Sequence, residues 1–119
     1  MAKPQDIVTR TFQFALSIIE LANQLDEVIG STRVLTRQIL RSGTSIGANI
    51  EEAQAAESKA DFAHKYNIAL KEARETRYWL RLIDASNSTI NADLDSLIKE
   101  SDEICRIIAQ IVINARKAK

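Results

Sequence analysis

Turn-forming residues are nearly missing from this chain. Proline occurs once, at Pro4, and glycine three times, at Gly30, Gly43 and Gly47, in 119 residues. A sheet protein needs turn signals every ~8–12 residues, so this scarcity excludes one and favours a few long helices. Cysteine is also scarce. Cys105 stands alone, which rules out an internal disulfide and points to a reducing, cytoplasmic setting. Histidine is present once, as His64. A di-iron bundle needs a Glu-x-x-His pair on each of two helices, so that chemistry is excluded. No run approaches the ~20 apolar residues of a membrane span. A secretory leader is not expected, because Arg10, Gln13 and Ser17 interrupt the first apolar stretch. There is no phosphate-cradling glycine loop. Net charge is absent too, since 16 basic residues balance 16 acidic ones. No overall field draws the chain to a membrane or to nucleic acid.

Apolar residues are plentiful, at 45%, enough for one compact domain spanning residues 1–119. Their periodicity predicts four helices. The first is expected from Pro4 to Val28, with Ile7, Phe14, Ile18, Leu21, Leu25 and Ile29 on one face. Gly30 ends it and Ser31 caps the second, Thr32 to Ala56, whose face carries Leu35, Ile39, Ile46, Ile50 and Ala53. Ser58 caps a third helix reaching Asp84, with Phe62, Tyr66, Ala69, Ala73, Thr76 and Leu80 inward. Asn91 is the expected cap of the fourth, Ala92 to Arg116, which turns Leu94, Leu97, Ser101, Ile104, Ile108, Ile111 and Ala115 inward. Short connections between long helices predict an all-α, antiparallel, up-down-up-down four-helix bundle.

The second helix carries an unusual run, Ser42-Gly43-Thr44-Ser45-Ile46-Gly47-Ala48-Asn49-Ile50-Glu51-Glu52-Ala53. An interior glycine costs a helix about 1 kcal/mol relative to alanine, so propensity does not explain it. Gly43 and Gly47 share a face where a neighbouring backbone can come close. Ser42, Gly43, Ser45, Gly47, Asn49 and Glu52 are therefore read as a packing motif. Asn49 is expected to set register through hydrogen bonds rather than to hold a ligand. Glu52 points away from the Ile46/Ile50 face, toward a partner on another helix or subunit.

Ser45 to Ala53 resembles the S-I-x-x-N-I-x-E-G signature of proteins encoded in intervening sequences of bacterial 23S ribosomal RNA genes, and of their free-standing relatives. Lys71-Glu72-Ala73-Arg74-Glu75-Thr76-Arg77-Tyr78-Trp79-Leu80 is similar to the K-E-x-x-E-T-x-Y-W-L branch of that family. The likeness covers about Ile7 to Ala115. Ala53 departs from it, where glycine is usual. The resemblance implies a left-handed four-helix bundle assembled into a ring, commonly a pentamer, with no established enzymatic activity. It also implies that some relatives bind nucleic acid through basic surfaces, although those relatives are markedly basic and this chain is not.

The first helix is apolar over more than half its circumference. Val8, Phe12, Leu16 and Ile19, with Ile68, Trp79 and Leu82 of the third helix, are read as a homo-oligomer interface. Arg33, Arg37 and Arg41 repeat every four residues, and Arg116, Lys117 and Lys119 cluster at the C-terminus. Multiplied around a ring, they would form a basic rim able to touch RNA or DNA phosphates. Two acid pairs, Glu72/Glu75 and Glu100/Glu103, invite a metal test, because such pairs hold Mg²⁺ in all-α nucleotide pyrophosphatases. The companion E-x-x-D motif is missing, and basic residues flank both pairs. The expectation is a non-enzymatic oligomer with no cofactor, metal, membrane or small-molecule substrate. Its rivals are a protein-interaction scaffold without a nucleic-acid role and the Mg-dependent hydrolase.

Overall fold

A computed structural model describes residues 6–25, 32–86 and 93–117. It contains four helices, α1 (Ile7–Leu25), α2 (Thr32–Ala53), α3 (Lys59–Ser86) and α4 (Leu94–Lys117). There is no strand among the described residues. The expected boundary residues Pro4, Val28, Gly30, Ser31 and Asn91, and the expected core residue Ile29, lie outside the described residues.

Local chemistry sets the visible helix ends. The Asp6 carboxylate accepts the Val8 N–H at 3.1 Å and opens α1. At α3, Ser58 Oγ accepts the Asp61 N–H at 3.0 Å, as the sequence suggests. The cap of α4 is Asp93: its carboxylate accepts the Ser96 N–H at 3.1 Å and the Ser96 hydroxyl at 2.6 Å. A carboxylate also complements the positive end of the helix, so these bonds hold it below the usual Asp pKa. Regular α2 stops at Ala53, three residues short of the expected end. Gln54, Ala55 and Ala56 donate instead to carbonyls three residues back, a tightened last turn.

Neighbouring helices pair in the order α1–α2, α2–α3, α3–α4 and α4–α1, and α1 meets α4 least closely. Each seam is antiparallel. Thr11 meets Gly47 and Ile18 meets Gly43; Glu52 meets Lys65 and Arg41 meets Glu72; Arg77 meets Asp102. One apolar core runs through the bundle, with Ile18, Leu25, Ile39, Ile46, Ile50, Leu80, Ile104 and Ile108 wholly buried. Burying each such side chain contributes about 1.5–3 kcal/mol before chain entropy is set against it. Most of the expected inward residues are there. Val112 and Cys105 also enter the core, while Leu97 and Ile111 pack at its edge. Burial pushes the Cys105 thiol pKa up, so it behaves as a small apolar residue.

The glycine run sits where α2 touches both neighbours. A β-carbon at Gly43 would lie 2.8 Å from Ile18 Cγ2, too close for any side chain without displacement. At Gly47 it would lie 3.4 Å from the Thr11 carbonyl oxygen, an ordinary contact. Gly43 is thus the true close approach to α1. On the opposite flank, the Ser42 and Thr76 hydroxyls pair at 2.9 Å, both wholly buried, and Thr76 also donates to the Glu72 carbonyl at 2.7 Å.

Candidate functional site

One flank of α1 has no neighbour among the described residues. Arg10 reaches α4, where its guanidinium grips Glu100 through two bonds of 2.7 Å. Thr11, the next residue, faces α2. A step of 100° per residue therefore turns Phe12 away from α4, past the α1–α2 seam. The same sequence repeats at Ser17, Ile18 and Ile19. Ser17 borders Ser96 and Leu97 of α4, Ile18 covers Gly43, and Ile19 turns outward. Phe12, Leu16 and Ile19 remain 57%, 48% and 41% exposed, a stripe of one aromatic and two branched side chains in water. Val8, at the head of that stripe, is half-buried and packs on the core.

The α3 residues assigned to an interface divide. Trp79 and Ile68 are half-buried, and Trp79 packs on its own core. The Trp79 indole N–H donates to Glu75 at 3.0 Å. Leu82 is 37% exposed, and Tyr78, which sequence reasoning passed over, is 53% exposed one turn before it. Both lie on α3 and add a second apolar patch. The spacing of Tyr78 and Leu82 was a signal that could have found it.

The arginine ridge of α2 also divides. Arg33 and Arg37 are exposed, with no ion pair among the described residues. Arg41 is engaged: it lies 3.3 Å from Glu72 and bonds to Glu75 as well. Burial pushes the Glu75 carboxyl up, but the Trp79 indole and Arg41 outweigh it and hold the carboxyl below the usual glutamate pKa. Arg116 and Lys117 are exposed on the last turn of α4. Lys119 lies outside the described residues.

Both acid pairs are closed by arginine from a neighbouring helix. Arg41 of α2 holds Glu72 and Glu75, and Arg10 of α1 holds Glu100 and, at 3.1 Å, Glu103. The carboxylates keep Arg10 firmly protonated, its pKa raised chiefly by the Glu100 bond. No cluster of three or more His, Cys, Asp or Glu side chains is placed to hold a metal ion among the described residues. The remaining motif residues act inside the fold. Asn49 donates to the Ser45 carbonyl of its own helix at 2.8 Å, and the Ser45 hydroxyl donates to the Arg41 carbonyl at 2.6 Å. Glu52 finds Lys65 of α3 at 2.9 Å, on its own bundle. His64 is exposed on the first turns of α3. No described helix is long and apolar enough to cross a membrane.

A crystal structure of a protein of unknown function from the S23 ribosomal protein family of Bacteroides thetaiotaomicron is similar in sequence and shape. It shares 40% identity and superposes with a TM-score of 0.81, covering 90% of this chain and 98% of that one. No curated protein matches the chain. The family model described as 23S rRNA-intervening sequence protein matches residues 3–110. With that match across nearly all of α1 to α4, and with the signature run lying on the α2 seams, the chain belongs to the 23S rRNA-intervening sequence protein family.

Proposed function

We propose that the protein is a non-enzymatic bundle that assembles with copies of itself, as a pentamer, and holds nucleic acid on the outside of that assembly. One observation carries the reading: Phe12, Leu16 and Ile19 form an exposed apolar stripe along α1, on the flank turned away from α2 and α4. Large exposed apolar patches mark interaction surfaces. The Tyr78/Leu82 patch lies on a different helix, so the two surfaces suit a head-to-tail contact, which forms a ring where the rotation between subunits closes. A ring repeats Arg33, Arg37, Arg116 and Lys117 in every subunit and turns a neutral chain into a basic rim. Phosphate contact, not base reading, is the mechanism such residues support. The arginine closure of both acid pairs weighs against a Mg-dependent hydrolase.

Sedimentation tests the assembly. The wild-type protein is expected to sediment as a multiple of 13.3 kDa, and Leu16→Asp to fall to the single-chain mass with its helical spectrum intact. A wild-type protein that sediments at 13.3 kDa at micromolar concentration overturns the reading. Retained assembly without any salt-sensitive RNA binding leaves the scaffold reading instead.

A further inference from the structure

Charge on α3 is sorted by flank. Its acids Glu72 and Glu75 turn to α2, where Arg41 holds them. Its arginines turn to α4. Arg77 meets Asp102 at 2.8 Å, Arg81 borders Ile98 and Lys99, and Arg74 lies close enough to Cys105 to influence its thiol. The antiparallel register therefore sets Arg81 opposite Lys99, Arg77 opposite Asp102, and Arg74 opposite Arg106. Asp102 is held from both sides, since Arg106 reaches it at 2.8 Å as well. Two other carboxylates stand at one end of this strip: Asp95, paired with Lys99 at 3.1 Å, and Asp84, three residues past Arg81. Beyond Glu103 the α4 sequence has no acid at all, and it ends in Arg116 and Lys117.

From this placement we infer that the α3–α4 seam is a binding groove for the phosphodiester backbone of a single-stranded nucleic acid, distinct from the Arg33/Arg37 ridge on α2. The inference rests on the nucleic-acid reading above and gives it a location. The groove has a volume of about 320 Å³ and is lined by Arg77, Arg81, Lys99, Ile98 and one acid, Asp102. Arg74 to Arg81 and Lys99 to Arg106 are each seven residues apart, so two cationic rows face each other over about 10 Å. The seam continues along α4 from Lys99 to Lys117 for about 27 Å, long enough for several nucleotides. Asp102 is a positioning residue: paired with Arg77 and Arg106, it keeps two guanidinium groups at the groove instead of free in solvent. Arg81 and Lys99 are the groups free to reach a phosphate, because Arg81 is exposed with no ion pair among the described residues and the Lys99–Asp95 pair is almost fully in water. Guanidinium forks suit phosphate oxygens, and the groups carry no base information.

The test uses a labelled 20-nucleotide single strand of mixed sequence, as RNA and as DNA, titrated at several salt concentrations. Three proteins are compared: wild type, Arg81→Gln/Lys99→Gln and Arg33→Gln/Arg37→Gln. Neither double variant removes a buried contact, and unchanged thermal midpoints confirm that. The groove variant is expected to bind about tenfold more weakly, with its salt slope reduced by about 1.4, the loss of two phosphate contacts on a single strand. RNA and DNA are expected to bind within about twofold of each other, since phosphate contacts do not read the sugar. If the groove variant binds like wild type while the α2 variant loses affinity, the groove is wrong and nucleic-acid binding stands. If wild type binds neither strand at low salt, both fall.

Discussion

At the α1–α2 seam two helices meet through a glycine; at the α3–α4 seam they meet beneath ion pairs. The first contact is close and uncharged. Ile18 lies directly over Gly43, and the exposed flank alongside is apolar. The second seam is bridged by Arg77, Asp102 and Arg106, and its rim is charged. A chain with 16 charges of each sign thus keeps an apolar surface on α1 apart from a charged one on α3 and α4. Electroneutrality summed over a sequence says nothing about how a bundle distributes its charge. Here Arg10 and Arg41 draw in Glu72, Glu75, Glu100 and Glu103, and Arg77 and Arg81 of α3 lie on the far side, toward α4.

Substitutions at the glycine seam separate it most sharply from the charged one. Gly43→Val forces branched carbon into Ile18 and is expected to destabilise the fold by about 2–3 kcal/mol in urea unfolding. Gly47→Ala should do the opposite. Its new carbon meets only an ordinary contact at 3.4 Å, and alanine gains up to about 1 kcal/mol of helix propensity. Equal losses at both positions would show that the seam is tight throughout, and not only at Gly43. At the charged seam, Arg77→Met should cost only about 0.5 kcal/mol, because the ion pair is about one-third exposed on each side and Asp102 keeps Arg106. A loss above about 2 kcal/mol would mean that this pair organises the α3–α4 packing.

The smallest effect is on pH. The Glu75 carboxyl is depressed in the folded state, so its bonds to Arg41 and Trp79 contribute fully above the unfolded glutamate value of about 4.3. They are lost as pH falls through the lower folded value. Trp79 is the only tryptophan. Its fluorescence should hold steady from neutral pH to about pH 4 and change below, and Glu75→Gln should remove that acid transition.

The helices were legible because long stretches of Leu, Ile and Ala repeat with helical period and few turn residues interrupt them. The family was legible because its two motifs sit on adjacent helices. Other features depend on partners distant in the chain. Arg41 reads as one step of a basic ridge, yet its acids lie 31 and 34 residues away on α3. Glu52 reads as a residue seeking a partner, and only folding brings Lys65 to it. A helical wheel gives the angle of Phe12 on its own helix, but not which neighbour stands on that side. The start of α4 shows a local version of the same limit. Asn91 is a good cap by type but lies outside the described residues, and the hydrogen bonds to Ser96 show that Asp93 caps the helix.

The hydroxyl pair of Ser42 and Thr76 has a consequence for alternative packings. The two hydroxyls bond each other across the seam, and Thr76 also reaches the Glu72 carbonyl of its own helix. A slide of α2 along α3 by one turn, about 5.4 Å, would keep much of the grease in contact with grease. It would also break the bond between the two alcohols and leave Ser42 without its partner across the seam, at about 1–3 kcal/mol, while Thr76 keeps the Glu72 carbonyl of its own helix. The pair works as a vernier: it adds little to the strength of the bundle, but it leaves the two helices one setting at which they fit.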